Sequence, residues 1–560
     1  NPLLFIFGTF GLLISSFLIL GISSPKVEFF PANMPAQIII YLEYPEGTSI
    51  SKTNLTALKF EKEINYVVNQ SKYIINDKNF MVESYVSQIG SGSQNPVTDK
   101  GAVNDMPNKA KITLTLAEFK NRKGLSSEIL RSEIQKEVED KFPGLLISVE
   151  KDQKSPPVGY PISIEITGSD YDKLILTANR MREFIDSKKI LGVEELKIDV
   201  NKNKPGIELK VKREKAGELD ITAGQIGNQL RRSIFGEKIG IFKKNSEDYD
   251  INLRLDKDDR YNLETLMNQY IIFRDQASGK IKQIPISSVV DFNNTQSFSK
   301  IKHKNLKRIV TLYSSVLAGY NENEVVDEVS NQLSNFDIGE GINYKFGGQI
   351  EEQESNLNFL ISALIAALAL IIFILVFQFN SISNPIIILF SILLSFTGVL
   401  YGISIFNMPF VILMTMMGII SLAGIVVNNS VVLIDYTQLL IDRKKDELNI
   451  EPKAFLNINI LRETLIEGGV ARLRPVILTA VTTILGLLPL AIGLNLDFFS
   501  LFSMWNPNIY FGGDNHHFWG PLAWTVIFGL SFATFLTLII VPCCFYTVYQ
   551  LKQLKIRLGY

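Results

Sequence analysis

Hydrophobic residues in this chain fall into one isolated run, a long mixed stretch and five closely spaced further runs. The first, Leu3–Ile22, holds about twenty mostly apolar residues, which is enough to cross a bilayer as a helix. A signal peptide is the alternative, but no basic segment precedes the run and no convincing cleavage site follows it. The pattern therefore predicts a retained first membrane helix. The five further predicted membrane helices are Asn358–Phe377, Ile386–Phe406, Val411–Tyr436, Val476–Leu494 and Leu522–Tyr546.

Between Ser23 and about Ser355 the pattern changes to that of a soluble domain. Lys109–Leu116 alternates apolar and polar residues, which is typical of a half-buried strand. The expected order strand–helix–strand–strand–helix–strand is the split βαβ arrangement. A second unit of this kind begins near Pro161, after a boundary at Pro156–Pro157, and includes a strand at Gly206–Val211. It is interrupted by an insertion of about eighty residues, so we expect an α+β region with one inserted subdomain.

Six membrane helices would leave both chain ends on one side of the membrane. By the positive-inside rule, basic residues near the helix ends mark that side as cytoplasmic, and the long stretch after the first helix is then external. Residue 1 is Asn, so we expect the numbering to begin inside a longer gene product or after processing. The basic residues are Arg443, Lys444, Lys445, Lys453, Arg462, Arg472, Arg474, Lys552, Lys555 and Arg557.

Composition narrows the function classes. The formal net charge is −1, which gives no reason to expect nucleic-acid binding. Cys543 and Cys544 are adjacent within an apolar run, and the three histidines form no metal-ligand spacing, so we expect neither a disulfide framework nor a metal site. No sequence pattern indicates a cofactor.

Two polar stretches within apolar runs carry the candidate chemistry. The first, GIVVNNSVVLIDY, places Asn428 and Asn429 inside the fourth predicted membrane helix. The second is Arg472–Pro489, RLRPVILTAVTTILGLLP. Polar groups in lipid are costly and need partners, which makes such a pair a functional hypothesis. The alternative is that the two amides only hydrogen-bond a neighbouring helix.

The order of these features resembles half of a resistance-nodulation-division (RND) transporter, in which one long external loop follows the first of six membrane helices. GGQIEEQESNLNFL, FQFNSISNPIIILFSILLSFTGV, GIVVNNSVVLIDY and ARLRPVILTAVTTILGLLPLA each resemble the corresponding family segment. The variants are similar to the C-terminal half in the multidrug, hydrophobe/amphiphile branch. The resemblance implies six transmembrane helices with periplasmic porter subdomains of split βαβ type and an inserted docking subdomain. The implied domains are 1–22, first membrane helix; 23–157, porter subdomain; 158–219 and 293–355, the two parts of a second porter subdomain; 220–292, docking insertion; 356–548, five membrane helices with a cytoplasmic loop at 437–474; and 549–560, cytoplasmic tail.

The resemblance also implies an activity and partners. The protein would be a proton-driven antiporter rather than an enzyme, located in a bacterial inner membrane, exporting drugs or other amphiphiles. Its partners would be the N-terminal half of the transporter, two further copies in a homotrimer, a periplasmic adaptor protein, an outer-membrane channel and membrane lipids. A hairpin near Phe235–Leu255 would match the arm that reaches into a neighbouring protomer; a local flap on its own subunit is the alternative. The rival functions are a lipid exporter of the same superfamily, a SecD/SecF-like secretion component and a membrane scaffold or receptor without transport.

In the family, a carboxylate pair from the first half faces a polar cluster from this half. By position, Asn428, Asn429, Arg472 and Thr479 would form the proton-relay cluster. The best-known members have Lys where this chain has Asn428, and losing that cation should raise the carboxylate pKa. The alternatives are that Arg472 is a snorkelling anchor and that Thr479 bonds within its own helix.

Substrate-binding residues are expected near the segment Gly90–Pro107, which aligns with the family's flexible loop across the drug pocket. The candidates are Tyr85, Gly90, Gly92 and Asn95. The loop contains no aromatic residue, unlike known polyspecific pockets, and a plain surface loop is the alternative. A second stretch, Asn495–Pro521, is rich in Phe, Trp and Tyr, as the aromatic belts at membrane surfaces are.

Overall fold

The computed structural model describes residues 2–31, 35–99, 106–138, 141–152, 159–200, 204–245, 247–274, 279–297, 301–451 and 454–557. It divides into two compact units, residues 1–199 with 302–560 and residues 200–301. The expected boundary at Pro156–Pro157, Lys453 and residues 100–105 of the predicted substrate loop lie outside the described part.

The first unit begins with helix α1 and then builds a four-stranded antiparallel sheet with strand order β5-β6-β2-β7. Burial alternates along the central strand β6, because only one face of the sheet meets helices α2 and α3. Ser49 caps α2 by accepting a hydrogen bond from the backbone N–H of Lys52. The strand order is that of a split βαβ unit. The elements are α1 (Pro2–Ser23), β1 (Val27–Glu28), β2 (Gln37–Glu43), α2 (Ile50–Val68), β3 (Ile74–Ile75), β4 (Lys78–Asn79), β5 (Val82–Ile89), β6 (Lys109–Leu116), α3 (Ser127–Val138) and β7 (Leu146–Lys151).

A second sheet follows, and the chain leaves it to form the other compact unit before returning. Its order is β16-β17-β8-β18, with β9 also paired to β17, and α4 and α10 accompany it. The elements before the interruption are β8 (Ile162–Gly168), α4 (Tyr171–Lys188) and β9 (Lys197–Ile198). Those after the interruption are β16 (Lys302–Lys304), β17 (Lys307–Ser314), α10 (Glu322–Leu333) and β18 (Ile342–Phe346).

The unit of residues 200–301 has its own small apolar core and three antiparallel ribbons, β10–β15, β11–β12 and β13–β14. The expected membership of Gly206–Val211 in the second sheet is wrong, because this strand pairs with Val290–Ser297 instead. The partner strand lies some eighty residues further along the chain, and alternation alone does not identify a distant partner. The elements, as numbered in chain order, are β10 (Lys204–Val211), α5 (Arg213–Glu218), α6 (Ala223–Phe235), β11 (Glu237–Lys244), β12 (Glu247–Leu253), α7 (Lys257–Tyr261), α8 (Leu263–Met267), β13 (Tyr270–Arg274), β14 (Ile281–Pro285), α9 (Ile286–Val289) and β15 (Val290–Ser297).

The remainder of the first unit is a helical bundle around α16. Among the described residues, six helices are long and apolar enough to cross a membrane: α1, α11, α12, α13, α14 and α16. Helices α13 and α14 extend well into the expected polar loop at 437–474, so much of that segment is helical. The elements are α11 (Gln349–Phe379), α12 (Ser383–Ile405), β19 (Phe410–Val411), α13 (Ile412–Glu447), α14 (Ile458–Ile492), β20 (Leu494–Asn495), α15 (Phe498–Met504), β21 (Tyr510–Phe511) and α16 (Asp514–Arg557).

Glycines let α12 and α13 approach α16 closely. A Cβ on Gly402 would lie 2.2 Å from the ring of Phe528, and one on Gly418 would lie 2.8 Å from Cβ of Thr525. Small residues of this kind permit tight packing where lipid offers no hydrophobic driving force. The bundle therefore holds α13, which carries the candidate relay residues, against a fixed neighbour.

Candidate functional site

The two polar stretches meet where α13 packs against α14. Asn429 is buried, and its Oδ1 lies 3.2 Å from Oγ1 of Thr479 on α14. The Thr479 hydroxyl also lies 2.9 Å from the carbonyl oxygen of Val476, so its single proton has two competing acceptors. The structure thus brings together Asn429 and Thr479, two of the four candidate relay residues.

Arg472 makes the second contact between these helices. Its guanidinium carbon lies 4.2 Å from the ring centroid of Tyr436, a cation–π geometry. Arg472 precedes Thr479 by seven residues on α14, and Tyr436 follows Asn429 by seven on α13, so the two contacts lie two turns apart along antiparallel helices. Tyr436 was missing from the predicted cluster, although its spacing from Asn429 already placed it on the same helix face.

Arg472 is only partly satisfied by this arrangement. Its Nε is a buried atom without a hydrogen-bond partner, and no carboxylate in the described part of the chain forms an ion pair with it. A buried guanidinium N–H without an acceptor is costly. The guanidinium of Arg472 thus carries a positive charge that no carboxylate among the described residues neutralises.

Asn428 does not join the cluster. It is exposed, whereas Asn429 is buried, because adjacent helix residues point about 100° apart. It belongs to a stripe of exposed residues along α13, which we call the α13 stripe. The α13 stripe comprises Ser421, Gly424, Asn428, Val432, Asp435 and Leu439.

The predicted substrate-binding residues are dispersed. Tyr85 is exposed on β5, while Gly90 and Gly92 adopt positive φ values of 72° and 76° in the turn that follows. Asn95 is buried, and its side-chain N–H donates to the hydroxyl of Tyr160 at 2.7 Å. Asn95 thus joins the first sheet to the second rather than lining a cleft with Tyr85.

Asn95 is one member of a buried polar network between the two sheets. Tyr160, just before β8, donates its hydroxyl proton to Oε1 of Glu150 on β7 at 2.7 Å. Lys197 on β9 donates to Oγ of Ser148 on β7 at 2.7 Å. Polar and charged side chains, rather than an apolar core, therefore join the sheets at these positions.

Burial changes the acidity of this network. Burial raises the pKa of Glu150 to about 7, and the hydrogen bond from Tyr160 and the charge of Lys197 only partly oppose this effect. Burial also raises the pKa of Glu194, whose carboxylate lies 3.4 Å from Oγ of Ser148. Tyr160 is among the residues that line two cavities, of about 310 and 300 Å³. Sequence reasoning missed Glu150 and Tyr160, since neither stands in a recognisable motif.

Comparisons with known proteins extend over nearly the whole chain. Residues 1–549 match the model of the AcrB/AcrD/AcrF family. The swarming motility protein SwrC of Bacillus subtilis is 27% identical over 343 residues, covering 61% of this chain and 29% of that protein. The cobalt-zinc-cadmium resistance protein CzcA of Cupriavidus metallidurans is 25% identical over 395 residues, covering 70% and 33%. The multidrug resistance protein MdtC of an Enterobacter species is 22% identical over 325 residues, covering 58% and 28%.

Solved structures show the same fold. Two crystal forms of a heavy metal efflux pump superpose with TM-scores of 0.71 and 0.68 at 19% and 20% sequence identity. The matches cover 98% and 97% of this chain but 50% of the pump chain. The matches to this chain thus cover about a third of the length of the curated relatives and half of the length of these pump chains.

Proposed function

This chain belongs to the AcrB/AcrD/AcrF family of RND efflux transporters, and on that premise we propose that it is the C-terminal half of a proton-coupled efflux pump. The α13 stripe and Arg472 together carry the proposal. Ser421, Gly424, Asn428 and Asp435 are small or polar, and all four are exposed on α13, a helix long and apolar enough to cross a membrane. Such residues facing lipid would be costly, whereas they are common between packed membrane helices. The α13 stripe is therefore the surface that the other half of the pump covers.

The charge of Arg472, which no carboxylate among the described residues neutralises, supports an anionic partner. We propose that the other half presents a carboxylate pair to the cluster of Asn429, Arg472 and Thr479, with Asn428 on the covered surface. Protonation of the carboxylates would remove their attraction to Arg472 and change which helix packing is stable. Each charge that crosses the membrane contributes about 2.3 kcal/mol per 100 mV to this change.

The remaining assignments follow the same plan. We propose that both chain ends are cytoplasmic, that the two sheets are periplasmic porter subdomains, and that the compact unit of residues 200–301, which is larger than the expected 220–292, is a docking insertion. The hairpin β11–β12 would be an arm that contacts a neighbouring protomer of a homotrimer. Its apolar side chains Ile241, Phe242 and Tyr249 are about half exposed, and exposed apolar groups of this kind are typical of a surface that another protein covers. A periplasmic adaptor and an outer-membrane channel would complete the pathway.

We propose drugs or other amphiphiles as the substrates. Metal ions are the second candidate, because CzcA and the heavy metal efflux pump are named for metals. Susceptibility of a pump-deleted strain to dyes, detergents and cobalt, zinc or nickel salts separates the two. Protection against metal salts alone would overturn the choice of amphiphiles.

Arg472 provides the test of the relay. Arg472→Ala in the complete transporter leaves the proposed carboxylates without a partner, a loss typically worth about 3–5 kcal/mol unless they take up protons. They can do so here, so we expect transport to stop while the protein still folds and inserts.

Arg474→Ala is the matched control, since Arg474 is exposed and residues two apart do not share a helix face. We expect it to transport nearly as well as wild type. The measurement is drug susceptibility of a pump-deleted strain at matched expression. Normal resistance with Arg472→Ala would show that Arg472 is only a membrane-surface anchor.

A further inference from the structure

The segment between α14 and α16 presents an unusually apolar surface. Phe499, Phe502 and Trp505 are 80%, 81% and 90% exposed, and Phe498 and Met504 are also exposed. A patch of large apolar side chains this exposed marks an interaction surface. We call these five residues the aromatic patch.

The segment is folded rather than extended away from the bundle. Strands β20 and β21 pair at its base, and the backbone N–H of Gly512 donates to the carbonyl of Gly493 at 2.8 Å. Asp497 caps α15 by accepting from the backbone N–H of Ser500 at 3.1 Å. These bonds fix the aromatic patch at the ends of α14 and α16.

The level of the segment along the bundle is set by its neighbours. It connects the end of one apolar helix, Ile492, to the start of another, Asp514. A Cβ on Gly512 would lie 3.0 Å from Cζ of Phe119, which follows β6 of the first sheet. The segment therefore lies where the bundle meets the sheet region, at the depth of a membrane surface.

The composition of the segment matches that depth. No charged residue occurs from Phe498 to Tyr510. Phe502 is four residues from Phe498 and three from Phe499, so its ring neighbours both of them on the surface of α15. Tryptophan and phenylalanine bury apolar rings readily at the headgroup level. Exposed apolar side chains also precede the patch along the chain, at Leu485, Ile492 and Leu496.

We propose that the aromatic patch inserts into the lipid leaflet on the sheet side of the membrane, so that α15 is a membrane-surface anchor beside the mouth of the bundle. Lipid is the occupant because the patch follows directly along the chain on α14, a helix that is long and apolar enough to cross a membrane and whose outer apolar side chains are exposed. A covering protein, whether the other half of the pump or a neighbouring copy, is the competing outcome.

Fluorescence quenching tests this. Phe502→Cys, in the complete transporter without other cysteines, is labelled with bimane and reconstituted into vesicles of phosphatidylethanolamine and phosphatidylglycerol. We expect lipids with a nitroxide near the headgroup or at carbon 5 of the acyl chain to quench at least twofold more than aqueous iodide does. Phe499→Cys repeats the measurement in case the first variant does not fold.

Leu306→Cys is the matched control, because Leu306 is apolar and fully exposed in the turn between β16 and β17. We expect iodide, and not the lipid nitroxide, to quench this label. Stronger quenching of the Phe502 label by iodide would show that water covers the patch and would overturn the proposal. Quenching by neither reagent would show that a protein covers it, with the same consequence.

Discussion

Glu150→Gln tests whether the polar network between the two sheets responds to pH. We call this network the joint. The Glu150 carboxyl accepts a hydrogen bond from Tyr160, and Glu194 and Lys197 act on it from the second sheet's side. Burial raises its pKa from an ordinary 4.5 to about 7. A glutamine keeps the accepting oxygen but does not ionise, so the substitution removes only the titration.

The size and sign of the effect follow from that pKa. At 1.36 kcal/mol per pH unit, the rise from 4.5 to about 7 corresponds to about 3 kcal/mol. The folded state binds the proton more tightly than the unfolded state, so this stability is complete below pH 4.5 and is lost as the pH rises through 7. Between pH 5 and pH 8 the free energy that resists opening of the joint should therefore fall by roughly 2–3 kcal/mol in wild type. In Glu150→Gln this free energy should change little, because the glutamine does not titrate.

Amide hydrogen exchange provides the measurement, with rates corrected for the intrinsic effect of pH. Peptides that cover β7 and β8 report the local free energy of opening at the joint. We expect their protection in wild type to fall between pH 5 and pH 8, and the variant to be more protected than wild type at pH 8. Glu340→Gln, at an exposed carboxylate, should behave as wild type. The same pH dependence in wild type and Glu150→Gln would refute the assignment to Glu150.

Two further predictions concern topology and packing. A cysteine at Leu306 should react with an impermeant maleimide once the outer membrane is permeabilised, while one at Arg443 should not; the reverse pattern would overturn the topology. Gly402→Ala should cost roughly 1–3 kcal/mol in thermal unfolding of this chain, since its Cβ would lie 2.2 Å from Phe528. Gly424→Ala meets nothing within 4 Å, so it should leave this chain stable yet impair the complete transporter, where a partner helix covers it. Equal effects of both glycine variants on stability would contradict this assignment.

Local patterns predicted the individual elements well. The alternation of Lys109–Leu116 and the apolar run at Leu3–Ile22 each correspond to an element within a residue or two. These signals are strong because burial repeats with the period of the strand, or fills a whole helix. A local pattern of this kind does not show which distant strand is the partner. For this reason Gly206–Val211 was assigned to the wrong sheet.

The site was predictable in part for the same reason. Asn429 was selected because it is polar within an apolar run, whereas Thr479 was selected because it matches a position of the family's cluster, and the structure joins them. Asn428 is exposed and Asn429 is buried because α14 packs against only one side of α13. The residues of α13 alone do not show which side that is. The Glu150–Tyr160 bond likewise arises only when two sheets meet.

Arg472 has two alternative partners in the proposed pump: the ring of Tyr436 on this chain and the carboxylates of the other half. A cation–π contact is worth about 0.5–2 kcal/mol, whereas loss of a buried ion-pair partner costs about 3–5 kcal/mol. An ionised carboxylate from the proposed other half would therefore draw Arg472 away from the ring, and protonation of that carboxylate would let it return. Arg472→Lys distinguishes this exchange from simple charge attraction, because an ammonium keeps the charge but lacks the planar group that both stacks on a ring and binds a carboxylate in two places. If exchange operates, the lysine variant should restore transport only in part at matched expression. Full restoration would mean that a positive charge alone suffices at this position.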